Sequence, residues 1–259
     1  MADTALELHR RRGDYGVDGD FRVIPAPVVA TINAGIVAAL IGLTMFYIVR
    51  GALIGAVVTG CVTLGLVLFI GSYLYTTRVG KFEVWSRILC DLWLRGDEQV
   101  LDLGCGRGAL LLMAAELVPH GRAVGIDLWC ADQTGNSPDA TLRNAEREGV
   151  TDRIELETGD ITHLPFADDT FDLVISNLVL HNIASAEGRR AAVDEAVRVL
   201  RPGGRLVIGD LMATGRYRAR LNELGLSDVH RRNLGWRVWW GSPLFPTRLV
   251  TATKAGAPA

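Results

Sequence analysis

The run Val100-Leu101-Asp102-Leu103-Gly104-Cys105-Gly106-Arg107-Gly108 sets an acid two residues before a cluster of glycines. The apolar residues around Asp102 suit a buried strand, and the glycines suit a tight turn whose backbone few other residues adopt. A second acid, Asp127, lies near the end of the next apolar run, Arg122 to Leu128. Strand, glycine turn and helix, with a carboxylate closing the following strand, is a pattern that receives an adenosine-containing cofactor. Gly104-x-Gly106-x-x-Ala109 satisfies the dinucleotide fingerprint, so a nicotinamide-dependent oxidoreductase has to be weighed.

Three features turn the reading toward a different adenosyl cofactor. Asp102 stands where dinucleotide sites carry an apolar residue, and a carboxylate there suits a cationic ammonium group. Thr158-Gly159-Asp160 ends the third strand-like run with another acid, suited to an adenine amino group. Phe171-Asp172-Leu173-Val174-Ile175-Ser176-Asn177 is followed, after one helix, by Val199-Leu200-Arg201-Pro202-Gly203-Gly204-Arg205, whose Pro-Gly-Gly turn launches the next strand.

These four ordered motifs resemble the class I S-adenosylmethionine-dependent methyltransferases, in particular the type 11 group that includes ubiquinone and menaquinone C-methyltransferases; the resemblance covers Glu98 to Lys254. It implies S-adenosylmethionine as cofactor; the four cysteines form no C-x-x-C pair and give no metal signal. It also implies that Asp102, Gly104 and Gly106 line the methionine end, that Asp127 holds the ribose hydroxyls and that Leu128 packs on the adenine. Asp160 and Ile161 would contact the adenine edge, and Asn177 would lie near the transferable methyl. Cys105, inside the turn, reads as a small buried residue of that site rather than a nucleophile. Simpler roles stay open beside these: the glycines as a ligand-free turn, Asp127 as a cap, Asp160 as a turn former.

Methyl transfer from a sulfonium is an in-line displacement, so alignment carries much of the rate, and a base is needed only if the acceptor must lose a proton. His181, just after the fourth strand, is the candidate base, with Asn177 beside it; ordering of the loop is its alternative role. His163 reads as structural. Ser176-Asn177-Leu178-Val179 lacks the prolines and aromatic ring of the methylases of nucleobase or amide nitrogens. The cysteines lack the spacing of those acting on arsenic.

Positioning these residues requires alternating strands and helices. Gln99–Leu103, Arg122–Leu128, Arg153–Glu157, Phe171–Ser176 and Arg205–Gly209 read as strands. Ala109–Leu117, Pro138–Glu148, Glu187–Leu200 and Arg216–Leu224 read as helices. Short strands near Val229 and Leu249 follow. The expected fold is α/β: a Rossmann-like, mainly parallel sheet with helices on both faces and a C-terminal antiparallel strand.

Ahead of it, Val28–Val49 and Ala52–Tyr75 carry no charge. The first is 22 residues, about 33 Å of helix against a hydrocarbon core of about 30 Å. The pair reads as a transmembrane helical hairpin, with Gly35, Ala39, Gly42, Gly51, Gly55 and Gly60 allowing close approach. A cleaved leader does not fit a second apolar segment set directly after the first. Arg10, Arg11, Arg12 and Arg22 precede the hairpin and Arg78, Lys81 and Arg87 follow it, which places both termini and the globular part in the cytoplasm. The expected divisions are a poorly ordered tail over 1–27, the hairpin over 28–75, a juxtamembrane amphipathic helix over 76–96 and a methyltransferase domain over 97–259.

A net charge of -2 gives no electrostatic ground for nucleic acid as a partner. The expected partners are the membrane and a lipophilic small-molecule or lipid acceptor. Trp236 to Pro246 holds three of the six tryptophans and could rest on the interface, line an apolar pocket or pack as a hairpin connection. The polar stretch Trp129–Pro138 could shape a lid. A membrane-tethered cofactor-binding scaffold without turnover is the third functional reading.

Overall fold

The computed structural model describes residues 7–19, 21 and 23–256. Two helices, α1 (Ala26–Val49) and α2 (Leu53–Tyr75), turn back on each other through Arg50–Ala52. Both are long and apolar enough to cross a membrane, and along them Ala56 alone is buried. Thr44 Oγ1 and Thr59 Oγ1 meet between them at 2.9 Å. Of the glycines expected to allow close approach, Gly55 lies against the Tyr47 ring and Gly60 lies near Thr44, whereas a Cβ at Gly35, Gly42 or Gly51 would meet nothing within 4 Å.

α2 continues through one π-helical turn, Thr76–Gly80, into α3 (Lys81–Cys90), so that Leu53 to Cys90 is one helix. At Gly80 a Cβ would fall 1.8 Å from the Arg237 carbonyl oxygen, so a bare backbone is required where the two segments cross. The expected juxtamembrane helix over 76–96 is therefore shorter, ending at Cys90, and its apolar face (Phe82, Trp85, Ile88, Leu89) is buried in the domain core rather than laid on a surface.

The strands are β1 (Gln99–Leu103), β2 (Arg122–Asp127), β3 (Ile154–Thr158), β4 (Phe171–Asn177), β5 (Leu200–Asp210), β6 (Ser227–Asn233) and β7 (Arg248–Thr253). They form one sheet in the order β3-β2-β1-β4-β5-β7-β6. The first five run parallel, and β7 inserts antiparallel between β5 and β6. The middle strands are apolar on both faces because both are covered. Leu173 and Ile175 face one core and Val174 the other, and Val207 alternates in the same way with Leu206 and Ile208. α3, α4 (Ala109–Leu117) and α5 (Pro138–Glu148) contribute to the first core; α6 (Ala186–Val199) and α7 (Thr214–Glu223) contribute to the second. Ser137 and Ser185 cap α5 and α6 through their hydroxyls, accepting from Ala140 N and Gly188 N. The Pro-Gly-Gly turn lies inside β5, since Leu200 already pairs with Phe171 and Gly203, at φ +80°, bonds to the Lys254 carbonyl just past the last strand.

The expectation of a poorly ordered tail fails for residues 7–19. Leu8 and Tyr15 are buried in the core. Arg11 bonds Glu116 at 2.7 Å and lies 3.4 Å from Glu148. Glu148 Oε1 also accepts from the Arg12 and Gly13 amides and from Tyr15 OH. The charged and glycine-rich composition that suggests disorder here serves instead to make ion pairs and backbone contacts to α4 and α5. Positions 1–6, 20 and 22 of the expected tail lie outside the described residues. Arg11→Ala leaves Glu148, 4% exposed, without its cation. We expect a loss of about 3 kcal/mol in folding stability, read as a lower urea midpoint of the full chain in detergent; an unchanged midpoint would show that this pair does not hold the segment.

Candidate functional site

The chain leaves β1 and rises through β2 and β3 on one side, then returns to β4 on the other. The crevice at the carboxyl ends of β1 and β4 is thus the switch point where ligands of such sheets bind. A cavity of about 240 Å³ opens there. Its wall brings together Asp102, Gly104, Cys105, Gly106, Asp127, Asn177 and His181, which lie far apart in the chain.

The turn after β1 is closed by Asp127. Its Oδ2 accepts from Gly106 N at 2.8 Å and its Oδ1 from Trp129 N at 2.6 Å. A carboxylate has further lone pairs, so it can accept ligand hydroxyls while keeping these bonds. Gly104 has φ +69°, and a Cβ there would lie 2.4 Å from Val179, so a side chain is excluded on both conformational and steric grounds. Asp102 is buried, and burial, with the Asp127 charge nearby, pushes its carboxyl well above the usual carboxylate range. A bound cation would reverse that cost. Cys105 is buried, and burial pushes its thiol up, which makes it a poor nucleophile. A buried acid beside an open glycine turn, with a second acid that can accept hydroxyls, is a donor set that fits an aminoacyl group and a ribose.

Leu128, Asp160 and Ile161 are not brought to the cavity wall. β2 ends at Asp127, and Trp129 turns the chain at φ +56°, its indole donating to Thr158 Oγ1 at 2.8 Å; Leu128 is left exposed. Asp160 accepts from Thr162 N at 2.9 Å, the turn-forming role, and Ile161 is in the second core cluster. His163 is exposed and bonds the Thr162 hydroxyl.

His181 is held from behind. Its Nδ1 lies 2.5 Å from Asp210 Oδ1, and its amide donates to Asp210 Oδ2 at 3.0 Å. Asp210 is fully buried at the end of β5 and also accepts from Tyr217 OH at 3.0 Å and Leu211 N at 2.7 Å. Burial and the Asp210 charge raise the Tyr217 hydroxyl far above its ordinary range, so it stays a donor. A carboxylate on Nδ1 fixes the tautomer that leaves Nε2 as acceptor. Asn177 is oriented from the other side, its Oδ1 accepting from Trp85 Nε1 of α3 at 3.0 Å.

Sequence reasoning missed Asp210, Tyr217 and Trp85. Asp210 had a signal: it ends a parallel strand, as Asp127 does. Tyr217 sits within the basic run Arg216–Arg220, of which Arg220 pairs with Asp194 at 2.6 Å. Also missed was Asp18. It accepts from Gln133 Nε2 at 2.9 Å, Thr77 Oγ1 at 2.7 Å and Lys81 Nζ at 2.7 Å, and Gln133 Oε1 in turn accepts from Arg107 N in the glycine turn. The polar stretch after β2 is stitched to the N-terminal segment, with Thr134 N on the Val17 carbonyl and Val17 N on Thr134 Oγ1. Among the described residues no group of three or more His, Cys, Asp or Glu is placed to hold a metal ion.

Residues 101–208 match the family described as "Methyltransferase domain". An arsenite methyltransferase of Halobacterium salinarum is 37% identical over 46% of this chain and 29% of its own length. A demethylmenaquinone methyltransferase of Symbiobacterium thermophilum is 32% identical over 49% of each. The chain spans half or less of the length of these curated relatives. A solved S-adenosylmethionine-dependent methyltransferase from Aquifex aeolicus shares the fold, with a TM-score of 0.52, 18% identity and coverage of 65% of this chain and 88% of that one. The [4+2]-cyclase SpnF shares it with a TM-score of 0.54, 19% identity and coverage of 66% and 82%. Residues 101–208 of the globular part are therefore similar in sequence to a methyltransferase domain, and the globular part shares the fold of the solved ones. Its cofactor is S-adenosylmethionine, and the nicotinamide reading is set aside.

Asp127→Ala should weaken binding of S-adenosylhomocysteine by about 1.5–3 kcal/mol through lost hydrogen bonds to a charged group, measured by titration calorimetry. Unchanged affinity would remove Asp127 from the site.

Proposed function

We propose that the protein is a membrane-anchored methyltransferase that moves a methyl group from S-adenosylmethionine to a lipophilic small molecule or lipid, with the globular part on the cytoplasmic side. One observation carries the reading: the cavity that holds Gly104 and Gly106 is also lined by Tyr73, near the end of the long apolar helix α2. Two adjacent helices that are apolar all round and exposed along their length have no place in water, and a bilayer is the solvent that accepts them. The Lys and Arg residues on both sides of the hairpin set its ends in the cytoplasm. An acceptor that partitions into the bilayer then reaches the cavity without crossing bulk water.

The relatives named above act on arsenite and on demethylmenaquinone by their names. The quinone-like direction suits this chain better. Cys61 and Cys130 are exposed on separate elements, Cys90 belongs to α3 and Cys105 is buried, so the thiols do not gather as a site for arsenic.

S-adenosylmethionine, when bound, supplies a methyl group activated by the positive charge on sulfur. Asp102 and Asp127 hold its ammonium and ribose ends, and the backbone of Gly104 and Gly106 allows close approach. Leu128, Asp160 and Ile161 are the residues assigned to the adenine end, and all three lie outside the cavity wall. Asn177, fixed by Trp85, orients the acceptor. His181 Nε2 takes a proton from an acceptor that has one to lose, and Asp210 stabilises the imidazolium that results.

Incubation of the purified full chain with radiolabelled methyl donor and a total membrane extract should place label in the organic phase. Label confined to water-soluble species, or none, would defeat the reading. With that acceptor, His181→Ala and Asp210→Asn should each lower the transfer rate by about 10²–10⁴-fold and leave S-adenosylhomocysteine affinity unchanged. Equal loss of affinity would assign the pair to loop structure instead.

A further inference from the structure

The stretch Trp239-Trp240-Gly241-Ser242-Pro243-Leu244-Phe245-Pro246 carries no charge. It lies between β6 and β7 but runs along the hairpin. The Trp239 carbonyl accepts from Ser72 Oγ at 3.1 Å and Thr76 Oγ1 at 2.8 Å. Tyr73 meets Trp240 edge-on at 5.4 Å, and Tyr75 stacks on Trp236 at 5.5 Å. Gly241, at φ +87°, packs so close to Phe69 that a Cβ would lie 2.3 Å from the ring. Phe69 precedes Tyr75 by about 9 Å of helix axis at about 1.5 Å per residue.

The tip of this loop is level with the exposed apolar length of α2. There Leu244 is 83% exposed and Phe245 53%. A lone exposed leucine needs no explanation, but two adjacent exposed apolar residues in a loop packed on α2 at Phe69 do. Arg237 and Arg248 flank the stretch, and the Arg237 guanidinium lies over the Trp236 ring at 4.6 Å. This is the order of residue types found at the headgroup boundary: apolar tip, aromatic collar, cationic flank.

We propose that residues 241–245 form a second membrane contact, seated in the headgroup and upper acyl region of the leaflet through which α2 leaves the bilayer. The depth matches the roughly 5–10 Å of interfacially buried elements. The inference rests on the membrane reading above and adds to it. Hairpin and domain tilt as one body because Leu53 to Cys90 is one helix, and a second contact at the loop after Trp240 fixes that tilt. Both aromatic residues line the cavity, so its mouth is held at the lipid boundary.

The test is lipid photocrosslinking of the full chain in vesicles of phosphatidylethanolamine and phosphatidylglycerol. Benzoylphenylalanine replaces Leu244, Phe46 in the hairpin, or Arg95 at the amino ends of the strands. Lipid adduct at position 244, several-fold above position 95 and comparable to position 46, is expected. Adduct at 46 with 244 at the level of 95 overturns the loop contact and leaves the hairpin reading intact. Background at both 46 and 244 overturns both. Adduct at 244 alone overturns the hairpin, and with it the seating of the loop beside the point where α2 leaves the bilayer.

Discussion

A single helix from Leu53 to Cys90 ties the apolar hairpin to the floor of the cavity. A helix advances by a fixed rise, so its residues cannot be placed independently. Ser72 and Thr76 meet the Trp239 carbonyl, Thr77 and Lys81 meet Asp18, and Trp85 meets Asn177. Moving the hairpin relative to the sheet would disturb all these contacts at once. The π turn at Thr76–Gly80 sits where that helix passes under the Arg237 carbonyl, and such turns commonly mark functional sites.

Four aspartates around the cavity show how burial sorts one residue type into different roles. Asp127 accepts the Gly106 and Trp129 amides and lines the cavity. Asp210 spends its acceptors on His181, Tyr217 and Leu211 N and is sealed from solvent. Asp18 is paired to Lys81 and cross-links three segments. Burial holds Asp102 away from its charged form, and it lines the cavity. A buried acid disfavoured as an anion is one that a nearby cation would stabilise, and the proposed ammonium partner is that cation.

The sheet was legible because strand-length apolar runs separated by glycine turns and helical spacing leave few other arrangements. Asp102, the glycine turn and Asp127 were legible because their chemistry is local: the acids sit at strand ends, and strand ends meet at one crevice. Asp210 obeys the same rule, but its partner His181 is brought to it by pairing of β4 with β5, a long-range fact that spacing does not carry. The N-terminal segment misled for a physical reason. Its charges read as solvated, yet Arg11 is used in the interior because Glu148 and Glu116 are there to meet it. Leu128 was legible by type alone: the turn at Trp129 leaves it exposed and outside the cavity wall.

The proposed chemistry and the proposed location constrain each other. Transfer from a sulfonium to a neutral acceptor carries the positive charge onto the acceptor, and a site facing lipid gives that charge little solvent. A proton acceptor inside the site removes the charge before release. His181, backed by a carboxylate sealed from solvent, is placed for that duty just past the end of β4, on the wall it shares with the glycine turn. An acceptor without an acidic proton would leave this pair idle. On this reading the His181–Asp210 pair suits an acceptor that has a proton to lose.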